Sequence, residues 1–281
     1  MTATEEFVGG IIDTPEDDYH ADPVPAGSLS VTEAKRLLDC PARYYYHKHY
    51  ADHSAVFDFG KAAHAHVLGV GAPVDIIEAD DWRTKAAKEA RDESREAGRV
   101  PLLTKDWEHV EAMALQLRRH PLTAALLDPD RGQAEQSAFW FDRIWRRCRF
   151  DWLPDVDPNK RLIIPDYKTA PRADARSFGR SAANFGYHQQ AAWYLDGARH
   201  TLDVAEPAFV FVCQEKTEPY LVNVVELDPY AIEIGAALNE RAVDIWVEAR
   251  ESGEWPGYGT EVEQVALPRW AEIAFEEGAY E

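Results

Sequence analysis

Cysteine and methionine are nearly absent, with three and two residues in 281. Cys40, Cys148 and Cys213 lie far apart, too few for a disulfide framework and without the paired spacing of a zinc site. That usage predicts a reducing compartment, the cytoplasm. No apolar run approaches the roughly 18 residues that a membrane helix needs, and no secretory leader is present, so membrane insertion is not expected. Basic residues are scarce as well: 30 Lys and Arg face 50 Asp and Glu, for a net charge of −20. This disfavours a protein that coats DNA by charge alone. It does not exclude an enzyme with a locally basic groove, because bound cations offset acidity at a site. Internal repeats and low-complexity tracts are missing too. What is there is a chain with 46% hydrophobic residues, enough to bury the core of one large domain or two small ones.

The most informative stretch runs from Trp145 to Thr169 and reads as two β-strands joined by a polar turn. In the first, Ile144 to Leu153, period-2 alternation puts Trp145, Arg147, Arg149 and Asp151 on one face. In the second, Arg161 to Thr169, it groups Ile164, Asp166 and Lys168, with Asp166 and Lys168 about 6.6 Å apart along the backbone. The Asp155–Asn159 segment between them has turn composition. A hairpin of this kind brings Asp151 beside Asp166 with an ammonium at the rim. Two carboxylates at one edge suit Mg²⁺, which is usually held by one or two carboxylates plus substrate phosphate. Such an ion activates water and stabilises charge growing on a phosphodiester. Lys168 can orient that water. A D-x-K pair also occurs on ordinary solvated hairpins, so its meaning depends on its surroundings.

Those surroundings divide into helix, then strand, then helix. Residues 1–27 are acidic and rich in Pro and Gly, the composition of a flexible arm or an extended segment lying on the body. Ser30 to Glu33 forms a capping-box pattern that starts a helix, interrupted at Cys40-Pro41, with a second helical piece over 42–50. Residues 57–68 read as a helix on which Gly60, His64 and Leu68 share a face. A histidine among small helical neighbours is ordinarily structural. The charged segment 79–99 reads as an exposed helix, followed by helices over 106–119 and 121–127. From Ala134 the texture turns to strand. Segments 134–142, 144–153 and 161–169 predict an antiparallel meander, with Glu135 near its start as a third carboxylate or a plain surface residue. Arg172, Arg176 and Arg180 recur every fourth residue, one stripe if a helix runs there, and such a stripe suits a phosphate backbone. Residues 186–197 form a helix on which Gln190 and Tyr194 are neighbours, with Tyr187 one turn earlier. Strands over 207–214 and 220–227 and a long helix over 228–251 complete the body. An acidic segment over 261–281 follows.

The ordered set of these motifs resembles the PD-(D/E)xK nuclease superfamily, and most closely the RecE-type exonucleases of phages and prophages. The pieces that carry the likeness are Leu29-Ser30 with Cys40-Pro41, the stretch Gly60 to His64, Glu135, Asp151, Asp166-Tyr167-Lys168, Tyr187 to Tyr194, Gln214 to Lys216, and Trp255 to Tyr258. The resemblance covers about residues 28–260 and implies an α/β restriction-endonuclease-like core, a mixed sheet flanked by helices behind a helical N-terminal part. It implies Asp151 and Asp166 as metal ligands, with His64 and the Tyr167 carbonyl as further ligands. Lys168 would position the nucleophilic water, and Glu135 would be a helping acid. Gln190 and Tyr194 would line the site and contact DNA or the lysine. The expected cofactor is Mg²⁺, with Mn²⁺ as a substitute. An iron–sulfur cluster is not expected, because the closing cysteine trio of the cluster-bearing relatives is missing. The expected activity is 5′–3′ degradation of one strand of linear double-stranded DNA. The partners implied are a homo-oligomeric ring, trimer or tetramer, and a RecT-type single-strand annealing protein. Two alternatives remain open at this point. One is a RecB- or AddB-like nuclease acting on single strands or flaps; the other is a non-catalytic module that binds DNA ends.

Overall fold

The computed structural model describes residues 7–50 and 58–278, and of residues 58–61 the backbone alone. Phe57 and residues 1–6 and 279–281, which include part of the N-terminal segment and Glu281 of the acidic segment, lie outside the described residues.

The N-terminal elements are β1 (Gly10–Ile12), α1 (Glu16–Ala21), β2 (Ser28–Ser30), α2 (Val31–Asp39) and α3 (Pro41–Tyr50). Next come α4 (Asp58–Leu68), β3 (Val74–Ile77), α5 (Lys85–Glu96), β4 (Val100–Leu103), α6 (Thr104–Arg119) and α7 (Pro121–Leu126). The site-bearing half holds β5 (Gly132–Asp142), β6 (Ile144–Pro154), β7 (Ile163–Ala170), α8 (Ala175–Phe185), α9 (Tyr187–Leu202), β8 (Ala208–Glu215), β9 (Val222–Glu226) and α10 (Pro229–Ser252), with α11 (Arg269–Glu276) after it.

Local chemistry explains many boundaries. The capping box at Ser30 is formed: Ser30 Oγ accepts from Glu33 N at 3.3 Å, and Glu33 Oε2 accepts from Ser30 N at 2.9 Å. Asp174 and Asp228 cap α8 and α10 by accepting from Ser177 N and Ala231 N, without the reciprocal bond, and Pro229 opens α10. Gly186 takes φ +64 and ends α8, so α9 starts at once in a new direction.

The strands lie in one four-stranded sheet, β1-β5-β6-β2, one three-stranded sheet, β7-β8-β9, and the small pair β3-β4. β5 and β6 form the expected antiparallel hairpin, with Phe139 opposite Arg147 and Ser137 opposite Arg149. β7 does not extend it into a meander. It pairs in parallel with β8, reached by a crossover through α8 and α9, and β9 closes that sheet antiparallel. Two features account for the break. Pro154 ends β6 with a residue that has no N–H to donate. Further on, the β7 donor at Tyr167 is taken by the Asp151 side chain at 2.9 Å instead of a β6 carbonyl. β6 and β7 therefore meet through the Asp151 side chain, not a ladder.

The main core lies between these sheets and α2, α9 and α10, around Trp193, Phe150, Phe211 and Ile164. α10 crosses α9 very closely at Gly235, and Asn239 Nδ2 donates to the Gln189 carbonyl at 2.9 Å. A smaller cluster of Ala62, Ala63, Val100, Leu102 and Val110 holds α4 to β4 and α6.

Where the sequence suggested a flexible arm, residues 7–27 are bound to the body. β1 adds to the edge of β5, and Tyr19 and Val24 pack on Phe139. The anchor is Arg147, 3% exposed, whose guanidinium lies 3.3 Å from Asp22 and 2.8 Å from Glu33 and donates to the Ser28 carbonyl at 2.6 Å. A buried guanidinium needs such partners, and the N-terminal segment supplies them. The exposed helix expected over 79–99 is the shorter α5, capped by Thr84. Among the described residues, no helix is long and apolar enough to cross a membrane.

Candidate active site

The hairpin, β7, α4 and α9 converge on one group of acids and bases. Asp151 leaves β6 and meets the His64 imidazole of α4, with Oδ2 at 3.0 Å from Nε2. The other ring nitrogen, Nδ1, lies 3.3 Å from Glu135 Oε1. Glu135 reaches it from a strained backbone. It sits in β5 between the residues paired with Trp152 and Phe150, and its φ is +57. A non-glycine residue in this left-handed region costs roughly 1–2 kcal/mol. Such outliers gather where surrounding structure fixes a functional side chain. The second Glu135 oxygen accepts from Arg149 Nε at 2.6 Å. Arg149 also donates to the Thr14 carbonyl and to Ser137.

Asp166 is 1% exposed. Its Oδ1 accepts from Gln190 Nε2 of α9 at 2.7 Å. The Lys168 ammonium lies 2.5 Å from Oδ2, but off the line of a directed hydrogen bond, so Oδ2 remains a buried oxygen without an aligned donor. Lys168 also faces the Tyr187 ring, with 5.6 Å to its centroid. The Tyr167 hydroxyl donates to Gln214 at 2.7 Å, and Gln214 Nε2 donates to the Met113 carbonyl at 2.9 Å, which ties β7 to α6.

The electrostatics set the two acids apart. Burial lifts the Asp166 carboxyl to about 6, and the neighbouring Asp151 charge adds to this against the pull of Lys168. Asp151 is less enclosed, its side chain 17% exposed, and His64, Lys168 and the Tyr167 N–H outweigh its burial and hold it below the usual carboxylate range. Burial disfavours charge on His64 and Lys168 as well, but the facing carboxylates win, and both are raised. The result is one acid biased toward its charged form, Asp151, beside one biased toward protonation, Asp166, with His64 and Lys168 both biased toward their charged forms.

Among the described residues, no group of three or more His, Cys, Asp or Glu side chains is arranged to hold an ion as it stands, and His64 and Lys168 lie in ion-pair distance of Asp151 and Asp166. The donor set nevertheless fits a hard divalent cation. It offers carboxylate oxygens from two strands, an imidazole, and one buried Asp166 oxygen with no aligned partner. Asp151, Asp166 and His64 are the side chains that would hold it, with Glu135 beyond His64.

A family model matches residues 30–268, and its description is "PDDEXK-like domain of unknown function (DUF3799)". The chain belongs to this family. Its restriction-endonuclease-like α/β core is the one expected from the sequence. Among solved structures, the chain is similar to a crystal structure from Eubacterium rectale named as a candidate exonuclease. The two share 10% identity, the match covers 94% of this chain and 99% of that one, and the TM-score is 0.60, which is a likeness of fold. No curated protein matches.

This PDDEXK-like chain thus brings His64, Glu135, Asp151, Asp166, Lys168 and Gln190 together. It sets Tyr194 apart. That ring is buried edge-on against Phe150 at 5.5 Å and Phe209 at 5.3 Å, so it packs the core beneath the acids, and Tyr187 is the ring beside Lys168. The arginine stripe is also only partly formed. Arg172 precedes α8 and pairs with Asp174 at 2.8 Å, while Arg176 and Arg180 are exposed on the helix. Sequence reasoning passed over Arg149, although its place on the Asp151 face of β6 was a usable signal. It also passed over Lys35 of α2, whose charge reaches Lys168 and Asp166 and whose position no local pattern betrays.

Proposed function

We propose that the protein is a metal-dependent nuclease that hydrolyses DNA phosphodiesters, and specifically an exonuclease acting on linear duplex ends. The observation that supports this reading is the joining of Asp151, Asp166 and Lys168 with His64 and Gln190 from four separate elements. A divalent cation bound by the two aspartates, Mg²⁺ or Mn²⁺ in its place, would supply Lewis acidity toward the phosphate and lower the pKa of a water. The chain's own residues supply the rest. Lys168, kept charged by Asp166 and Asp151, is placed to orient the attacking water and to face the developing charge on phosphorus. Gln190 fixes one Asp166 oxygen, which keeps the other turned toward Lys168. Glu135 and Arg149 hold the far side of His64. Arg176 and Arg180 on α8 would lie along the backbone of the bound strand, with Arg172 before the helix.

The finer reading follows the RecE-type resemblance. It comprises 5′–3′ degradation of one strand to leave a 3′ overhang, a ring of three or four copies, and delivery of the product to a RecT-type annealing protein. A closed ring would let a chain of charge −20 hold DNA inside an enclosed, locally basic channel. The test is a time course on linear duplex labelled at the 5′ or 3′ end, with Mg²⁺ and with chelator, for the wild type and Lys168→Ala. Loss of the 5′ label first, only with metal and not in the variant, supports the reading. Undiminished cleavage by Lys168→Ala removes it, and preference for single strands or flaps replaces the exonuclease reading with the RecB-like one.

A further inference from the structure

The apolar stripe of α8 continues past the surface it covers. Phe178 and Ala182 are buried, but Phe185, in register with them one turn further on, is 61% exposed. The helix stops there because Gly186 takes φ +64, and a Cβ on Gly186 would lie 3.0 Å from Lys35 Cε and 3.1 Å from Gln189 Oε1. Glycine therefore allows α2 to press its lysine against the α8–α9 corner. The Lys35 ammonium donates to the Phe185 carbonyl at 2.9 Å, which leaves two of its three protons without that partner. Burial and the like charge of Lys168 push Lys35 down to about 8 against the opposing pull of Asp166.

The corner also leads back to the reacting centre. The Phe185 ring lies 5.8 Å from the Tyr187 ring, and Tyr187 carries the Lys168 ammonium on its face at 5.6 Å. Tyr187 itself rests on Phe178 at 5.9 Å and Phe211 at 5.5 Å, so it is a fixed step between the lysine inside and the exposed ring outside. An exposed aromatic ring beside a half-buried ammonium, one ring away from the reacting lysine, matches a nucleotide in both its parts. Bases stack on aromatic faces whatever their sequence, and ammonium groups hold phosphates.

We propose that Phe185, Tyr187 and Lys35 form a nucleotide subsite at the mouth of the site, where Phe185 stacks on a base of the strand being cut and Lys35 holds the adjoining phosphate. The proposal rests on the nuclease reading of the acids and adds to it the grip on the strand next to the bond that breaks. It assigns this grip to the α8–α9 corner and α2, not to the arginines of α8.

The experiment uses the full chain and a single-stranded oligonucleotide carrying 2-aminopurine, bound in the presence of chelator and separately digested with Mg²⁺. Wild-type protein is expected to quench the probe by stacking. Phe185→Leu is expected to lose the quench and to weaken binding by about tenfold, within the range for removal of a stacking ring. Phe185→Trp should restore both, which separates stacking from a folding defect. Lys35→Met should weaken binding and lower the slope of log K against log salt by about one contact. In digestion, Phe185→Leu should raise KM and leave kcat near wild type. If Phe185→Leu binds, quenches and cleaves as wild type does, the subsite is overturned while the nuclease reading stands. If wild-type protein with Mg²⁺ leaves every DNA substrate whole, the nuclease reading fails first and the subsite falls with it.

Discussion

Gln190 and Asp166, on a helix and a strand 24 positions apart, meet through a 2.7 Å hydrogen bond buried from water. The amide donates to Oδ1 and leaves Oδ2 to the Lys168 ammonium. Gln190→Ala should free the carboxylate to rotate and remove a donor from an acid that burial already lifts. Residues that orient metal-site ligands typically cost 10–100-fold when removed, so a fall of about that size in kcat/KM on linear duplex is expected. Gln190→Glu should be worse than Gln190→Ala, because a second carboxylate adds like charge. Wild-type kcat/KM in Gln190→Ala would show that the bond does not orient Asp166.

Metal addition offers a test that does not depend on turnover. A ligand bound only by the folded state stabilises by about 2.7 kcal/mol at a hundredfold excess over Kd. Mg²⁺ or Mn²⁺ should therefore raise the wild-type Tm by several degrees, and Ca²⁺ or Mn²⁺ titrations should saturate. Asp151→Asn and Asp166→Asn should each abolish the shift. A Tm rise that survives both substitutions would place the cation elsewhere.

Why the sequence foretold the acids better than their setting is clear from particular residues. Asp151, Asp166 and Lys168 were legible because strand alternation fixes which side chains share a face, and the period-2 rule needs no knowledge of partners. Gln190 was legible only through family resemblance, since its bond to Asp166 joins elements that local patterning does not relate. The place of β7 was misjudged because one strand following another by a short polar turn normally pairs with it. Here Pro154 and the Asp151–Tyr167 bond send it to β8. The N-terminal segment had two readings, a flexible arm and a segment lying on the body, and its composition did not choose between them. What chooses is Asp22, a partner for a guanidinium buried 125 positions later. β1 and β2, of three residues each, carry no periodic signal at all.

The same buried cluster makes a pH prediction. Burial raises the Asp22 and Glu33 carboxyls, but Arg147 and Lys48 outweigh it, and both are held below their ordinary values. Carboxylates depressed in the folded state contribute stability above their unfolded pKa values, near 4. That contribution is lost as pH falls through the lower folded values. The segment over 7–27 should therefore loosen at acid pH, seen as lower amide protection factors in β1 and α1 at pH 3 than at pH 6, once exchange rates are divided by the intrinsic rate at each pH. Arg147→Met should loosen it at neutral pH as well and cost about 3–5 kcal/mol, because it removes the guanidinium from two buried acids and leaves them Lys48 and the hydrogen bonds from Ser28 and Ser30. Equal protection at the two pH values would contradict this role of Asp22 and Glu33.

Two helical glycines give opposite predictions for one chemical change. At Gly179 of α8 an added Cβ meets nothing within 4 Å, so Gly179→Ala should stabilise the protein, by up to about 1 kcal/mol, through helix propensity alone. At Gly235 of α10 the same methyl would stand 2.1 Å from the His188 carbonyl oxygen, 2.5 Å from its carbon and 2.9 Å from Gln189 N. These are backbone atoms of the first turns of α9, which cannot swing aside as a side-chain tip would. α10 must then move off α9, and the Asn239–Gln189 bond at 2.9 Å stretches with it. Overpacking of this kind costs about 1–3 kcal/mol, so Gly235→Ala should lower Tm by several degrees. The displaced turn also carries Tyr187 and Gln190, the residues that touch Lys168 and Asp166. Activity should therefore fall further than the loss of folded protein explains, when measured well below the variant's own Tm. A Gly235→Ala protein with normal specific activity at that temperature would mean that the α9–α10 crossing does not set the position of Gln190.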